Sequence, residues 1–190
     1  AKKGQYLLTG SQNLLLMQNV TESLAGRAAI LRLLPLSLVE AIGQPQHLLP
    51  WDKARVARAG ADKVAPLAGK TLWEKLLRGG YPEIAAASKR DASLWHASYV
   101  QTYLERDVRG LREIADLPQF QSFLRLLASR SAQLLNIADL SRDLGLAANT
   151  VKAWLAVLQA TYQIVVLRPY FANIGKRLVK TPKVYFSDVG

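Results

Sequence analysis

The sequence predicts a mainly helical chain with some β structure: a short α/β piece, a helical middle, and a winged helix-turn-helix. Three observations predict it. Two apolar runs of strand length, Tyr6-Leu7-Leu8-Thr9 and Ala28 to Leu34, flank the stretch Leu14 to Leu24, which is rich in helix formers and lacks alternation. Between Val100 and Leu134 apolar residues recur at helical spacing. From Asn136 to Phe186 the order is short helix, glycine turn, helix, and two strand-like runs, which is the order of a winged helix.

Each element has a local reason. Tyr6 to Thr9 reads as a buried strand ended by Gly10, and Gly26 closes the Leu14–Leu24 helix. Ala28 to Leu34 reads as a second buried strand stopped by Pro35. Two buried strands joined by a helix make a βαβ unit, which needs a parallel sheet covered on both faces. Two strands are few for such a sheet, so further strands are expected upstream of Ala1. Unpaired edges of that sheet predict dimerisation or strand swapping through residues 5–34, or poor order there.

Residues 43–70, interrupted by Pro45, Pro50 and Pro66, read as a poorly patterned connection. Leu72 to Leu77 is helical, followed by the turn Gly79-Gly80-Tyr81-Pro82. Asp91 or Ser93 caps the next helix, whose inner face is Val100, Tyr103, Leu104, Val108 and Leu111. Asp116 caps another, with Pro118 in its first turn and Phe120, Phe123, Leu124, Leu127, Ser131 and Leu134 as its inner stripe. Asn136 caps Ile137 to Leu144, and Gly145 ends it. The helix from about Ala148 to Ala160 turns Val151, Leu155 and Leu158 inward, with Trp154 beside them. Ile164 to Leu167 and Val184 to Phe186 are the ribbon strands.

Composition narrows the function. Lys and Arg number 25 against 14 Asp and Glu, a net charge of +11. Such a balance favours an anionic partner, nucleic acid or nucleotide phosphate. Residues 161–190 are the most one-signed, with Arg168, Lys176, Arg177, Lys180 and Lys183 against Asp188. Cysteine is absent, which excludes disulfides, thiol catalysis and cysteine-ligated zinc. The only histidines are His47 and His96, and no metal site is predicted. No apolar run reaches the roughly 18 residues of a membrane span, so no membrane partner is expected. With no signal-type segment at the start, the expected location is cytoplasmic.

Two constellations carry chemistry. In a winged helix the start of the second helix enters the major groove, and here it offers Asn149, Thr150 and Lys152. The ribbon tip offers Lys176 and Arg177 to phosphates, with Lys180 and Lys183 on the return strand. The same pattern also fits a protein-interaction module with a solvated basic loop. The second constellation is Thr9-Gly10-Ser11-Gln12-Asn13, at the carboxyl end of a strand, where α/β sheets bind ligands. Ser11 and Gln12 would meet a phosphate or a water there, or simply cap the helix that follows. Arg27 would meet a phosphate or pair with an acid. Gly69-Lys70-Thr71 mimics the tail of a Walker A loop, but no glycine stands five before Gly69 and no strand precedes it. Adjacent Glu105, Arg106 and Asp107 point round a helix and make no paired-carboxylate site.

These pieces together resemble one family. Tyr6-Leu7-Leu8-Thr9-Gly10-Ser11-Gln12, Ser23-Leu24-Ala25-Gly26-Arg27, Gly79-Gly80-Tyr81-Pro82-Glu83, Tyr103-Leu104-Glu105-Arg106-Asp107-Val108 and the run Lys176 to Gly190 look like bacterial and archaeal AAA-type P-loop ATPases with a C-terminal domain of unknown function. The resemblance implies four parts. Residues 1–42 would be the C-terminal part of a P-loop ATPase core and 43–92 a connecting helical segment. Residues 93–187 would be the helical and winged-helix region, and 188–190 the truncated start of a restriction-endonuclease-like region opened by Asp188. It implies nucleotide sensing by Ser11, Gln12 and Arg27. ATP and Mg²⁺ would be bound by the parent protein through Walker segments that this chain lacks, so the chain alone is expected to bind neither and to be inactive. The implied partner is double-stranded DNA. The alternatives are a stand-alone DNA-binding module, or a module without enzymatic activity that binds a protein or itself.

Overall fold

The structure, a computed structural model, describes residues 6, 7, 27, 29, 31–41, 68–103, 116–170 and 180–190. The predicted helix at Leu14–Leu24, most of the 43–70 connection, and Leu104, Val108 and Leu111 lie outside the described residues. Two compact units are present, one of Leu34–Val100 with Asp188–Gly190, the other of Ala1–Leu33 with Gln101–Ser187. Among the described residues are seven helices and two strands, so the chain is mainly helical with a small antiparallel sheet.

In the unit containing Gln101–Ser187, local chemistry starts each helix. Helix α5 is Leu117–Ser129, and Asp116 Oδ1 accepts from Gln119 N at 2.8 Å to cap it. Helix α6 is Ile137–Leu144, with Asn136 Oδ1 accepting from Ala138 N and Asp139 N. Gly145 closes α6 at φ 64°, and Leu146 N donates to Ser141 O while Gly145 N donates to Arg142 O. Helix α7 is Ala148–Ala160. The same closure ends α7, but with Tyr162 at φ 59° where glycine is usual. Gln163 N donates to Leu158 O and Tyr162 N to Gln159 O. The guanidinium of Arg32 stands 4.8 Å from the Tyr162 ring centre, a cation–π contact.

Strands β1 (Ile164–Leu167) and β2 (Lys183–Phe186) pair antiparallel, from Ile164 opposite Phe186 to Leu167 opposite Lys183. The segment after α5 lies along the other edge of β2. Leu134 bridges Lys183, Ala132 N donates to Val184 O, and Leu135 N donates to Pro182 O. This extra pairing turns Leu134 outward, 62% exposed, whereas helical spacing predicts it inside. Once the chain turns at Ser129 the helical period no longer governs which way a side chain points.

The core of this unit is a stack of α5, α6 and α7 on the ribbon. Phe120, Phe123 and Leu127 of α5 are buried at helical spacing, facing Leu140 of α6 and Val151, Trp154, Leu155 and Leu158 of α7. The Trp154 ring lies 5.2 Å from Phe120, edge-on, and 5.4 Å from Phe123. Ile164 and Val184 close the core from the strands.

The expected buried strands at the front are not borne out among the described residues. Tyr6, Leu7, Ala29 and Leu31–Leu34 lie in no strand and are exposed, Leu33 by 98%. A buried parallel strand needs a hydrogen-bonded neighbour on each side and cover on both faces. No described segment supplies either.

In the unit containing Leu34–Val100, helix α1 (Leu38–Ala41) begins with a capping box. Ser37 N donates to Glu40 Oε2 at 2.8 Å, and Glu40 N donates to Ser37 Oγ at 3.4 Å. Helix α2 is Gly69–Arg78, so Gly69-Lys70-Thr71 forms its first turn rather than a loop. Helix α3 is Pro82–Ala86, begun by a proline whose missing N–H costs nothing there. Helix α4 is Ala92–Tyr103, capped by Asp91 Oδ1 from Leu94 N at 3.0 Å. Arg78 Nη2 donates to the carbonyls of Ile84, Ala87 and Arg90, tying α2 to the end of α3. Tyr81, Trp95 and Tyr99 form an aromatic cluster, with Trp95 and Tyr99 stacked at 5.3 Å and Tyr81 Oη donating to Tyr99 Oη at 3.0 Å.

Candidate functional site

The residues of the predicted DNA contact fall on two elements of one unit. Asn149, Thr150 and Lys152 occupy the start of α7, where Asn149 and Lys152 are exposed and Thr150 is half-buried. The residue before the helix, Ala147, provides no side-chain cap. The first N–H groups of α7 therefore have no side-chain acceptor from the cap position. The capped helix α6 precedes it across the Gly145 turn, which sets where the α7 start emerges. Lys183 opens β2 and Lys180 lies in the bend before it, both exposed. Lys176 and Arg177, predicted for the ribbon tip, lie outside the described residues.

The charged groups near these residues are unevenly paired. The acids of α6 are matched by arginines. Arg142 Nη2 meets Asp139 Oδ1 at 2.7 Å, and Arg130 pairs with Asp143. Lys152, Lys180 and Lys183 make no ion pair among the described residues, so the charge they add is uncompensated by the acids of α6. The ribbon also presents apolar surface. Val165 and Leu167 of β1 and Leu134 beside β2 are exposed apolar side chains.

Arg27 is exposed, and Ser11 and Gln12 lie outside the described residues. Among the described residues no three His, Asp or Glu side chains gather to hold a metal. A pocket of about 100 Å³ beside α2, lined by Leu36, Leu76 and Gly80 among others, is too small for a nucleotide. No described helix is long and apolar enough to cross a membrane.

Glu83 in α3 shows the clearest electrostatic perturbation. A hydrogen bond from Arg90, another from Trp95 and the Arg90 charge hold its carboxyl below the ordinary value of 4.5. No motif pairs Glu83 with Arg90, seven positions on. Nor does any reveal Arg78 as a clamp, since its three acceptors are backbone carbonyls.

The family described as "Domain of unknown function (DUF8612)" matches residues 69–190. The chain belongs to this family. An AAA domain matches residues 1–42, so the front of this DUF8612 member is an AAA-type region. An uncharacterised protein of Mycobacterium tuberculosis and another of Mycobacterium bovis are each 32% identical to the chain over 187 residues. The match covers 98% of this chain and 36% of either relative, so the chain spans about a third of their length. No solved structure matches it.

Proposed function

We propose that the chain is part of an AAA-type ATPase, with a winged helix at Asn136–Phe186 that grips duplex DNA. The observation that carries the DNA reading is the order of elements around α7. Helix, strand-like stretch, helix, glycine turn, helix and two strands follow one another, with β2 between β1 and the 132–135 segment. The exposed Asn149 and Lys152 support base and phosphate contact at the α7 start, and Lys180 and Lys183 support phosphate contact by the ribbon. The AAA match at residues 1–42 supports a nucleotide role for that region. In this reading Ser11, Gln12 and Arg27 sense a nucleotide held by other parts of the whole protein, which supply ATP and Mg²⁺ chemistry when bound.

The test is DNA affinity against salt. Each neutralised phosphate contributes about −0.9 to the slope of log K against log salt. Replacing Lys180 and Lys183 with Ala flattens the slope by about two units if both touch phosphate, and so does replacing Lys176 and Arg177. Both pairs weaken binding equally on all sequences, whereas Asn149→Ala changes preference among them. Fluorescence anisotropy on random and defined duplexes at several salt concentrations reads this. Equal slopes for wild type and both double variants refute the DNA grip. A second reading, a protein-interaction module, is favoured by the exposed Val165, Leu167 and Leu134 on the ribbon. It predicts no measurable duplex binding by the wild type or by either double variant.

A further inference from the structure

We infer that the outer face of the ribbon binds single-stranded DNA, with bases laid on its apolar and tyrosine side chains and phosphates held by the basic residues around them. Directly opposed residues of an antiparallel pair share a face, and so do residues two apart on one strand. Ile164 and Val184 are buried on the inner face. Val165 opposite Tyr185 and Leu167 opposite Lys183 therefore share the outer one. Leu134 bridges Lys183 from the other edge of β2 and joins the same face. Leu167 is 56% exposed, and Tyr170, three residues past the end of β1, is 83% exposed.

This face is apolar and cationic at once. Arg168 directly follows β1 and is exposed, as are Lys180 and Lys183. No Asp or Glu occurs between residues 161 and 187. A duplex keeps its base faces in the stack and offers a flat sheet only phosphates, so Val165, Leu167 and Leu134 would lose water and meet nothing apolar. A second copy would set Lys183 and Arg168 against like charges, on a chain of net charge +11. A single strand meets both halves of the face. Its unstacked bases cover tyrosine rings and apolar side chains, and its phosphates meet the cations. A 2′-hydroxyl would find no hydrogen-bonding side chain among Leu134, Val165 and Leu167, so DNA fits better than RNA. The inference goes beyond duplex binding and does not rest on it, because the apolar and tyrosine side chains that carry it have no part in the duplex reading.

The experiment is fluorescence anisotropy on the whole chain, with a labelled oligothymidine of about 12 nucleotides and, separately, a labelled duplex. Tyr170→Ala and Leu167→Ser are each expected to weaken oligothymidine binding about five-fold or more, as the loss of a stacking or apolar contact does. Both are expected to leave its salt slope unchanged, since neither residue is charged, and to leave duplex affinity unchanged. Tyr185→Phe is expected to keep oligothymidine affinity and Tyr185→Leu to lose it, because the ring and not the hydroxyl meets the base. Replacing Lys180 and Lys183 together with Ala is expected to flatten the single-strand slope by about 1.4, at roughly 0.7 per phosphate.

No oligothymidine binding by the wild type, or unchanged affinity in both Tyr170→Ala and Leu167→Ser, overturns the inference. So does an equal loss on the duplex, or tighter binding of oligouridine of the same length. Polyglutamate that displaces the label as well as unlabelled oligothymidine does also overturns it, and marks the face as a surface for an acidic protein. Tyr170 and Leu167 are exposed, so their variants test binding without removing a core contact. Duplex binding that persists while oligothymidine binding fails sinks this inference alone and leaves the duplex reading standing.

Discussion

Replacing Gly145 by Ala isolates the energetics of the turn between α6 and α7. Gly145 sits at φ 64° and ψ 28°, and a Cβ built there meets nothing within 4 Å. Steric overlap therefore contributes nothing, and only the backbone conformation does. Holding an L-residue in the left-handed region costs about 1–2 kcal/mol. Ala also restricts the unfolded chain, which offsets about 0.4–1 kcal/mol of that. The net expectation is a destabilisation of about 1 kcal/mol. For a unit of this size that lowers the melting temperature by about 4–8 °C. Thermal unfolding followed by far-UV circular dichroism measures it. Gly145→Asn serves as the control, because Asn tolerates this conformation and loses less. A melting temperature that is unchanged or raised in Gly145→Ala refutes the left-handed closure, and with it the assigned geometry of the turn between α6 and α7.

Two further outcomes follow from the packing and the electrostatics. Trp154→Ala removes the ring that Phe120 and Phe123 pack against, and is expected to cost about 3–5 kcal/mol, seen as a lower urea midpoint; a shift of less than about 1 kcal/mol shows that α5 and α7 do not share one core. Because the folded-state pKa of Glu83 is depressed, its contribution is present above 4.5 and fades as pH falls through the folded value. Arg90→Gln is expected to move the Glu83 titration, followed by carboxyl NMR, upward towards 4.5, and any stability difference from wild type to vanish in acid; an unmoved midpoint removes Arg90 as the cause.

The sequence by itself determined what nearest neighbours decide. Asp91, Asp116 and Asn136 cap the helices that follow them, because a short side chain reaches an N–H two or three residues on in any fold. Gly145 ends α6 for the same local reason, and the apolar period of α5 and α7 places Phe120, Phe123, Leu127, Val151, Leu155 and Leu158 inside. The basic residues at the start of α7 and on the ribbon were legible as a charge pattern, and the structure keeps Asn149, Lys152, Lys180 and Lys183 exposed. Only the tertiary structure decided the rest. Leu134 leaves the helical stripe because it bridges Lys183, and Tyr162 takes the left-handed position that glycine usually fills because helix closure and Arg32 hold it there. The apolar runs at Tyr6 and Leu31–Leu34 read as buried strands, yet burial of a strand depends on partners that its own residues cannot specify. Asp188 and Gly80 met for a reason no local pattern carries: an acid and a glycine 108 positions apart are joined by the path of the whole chain between them.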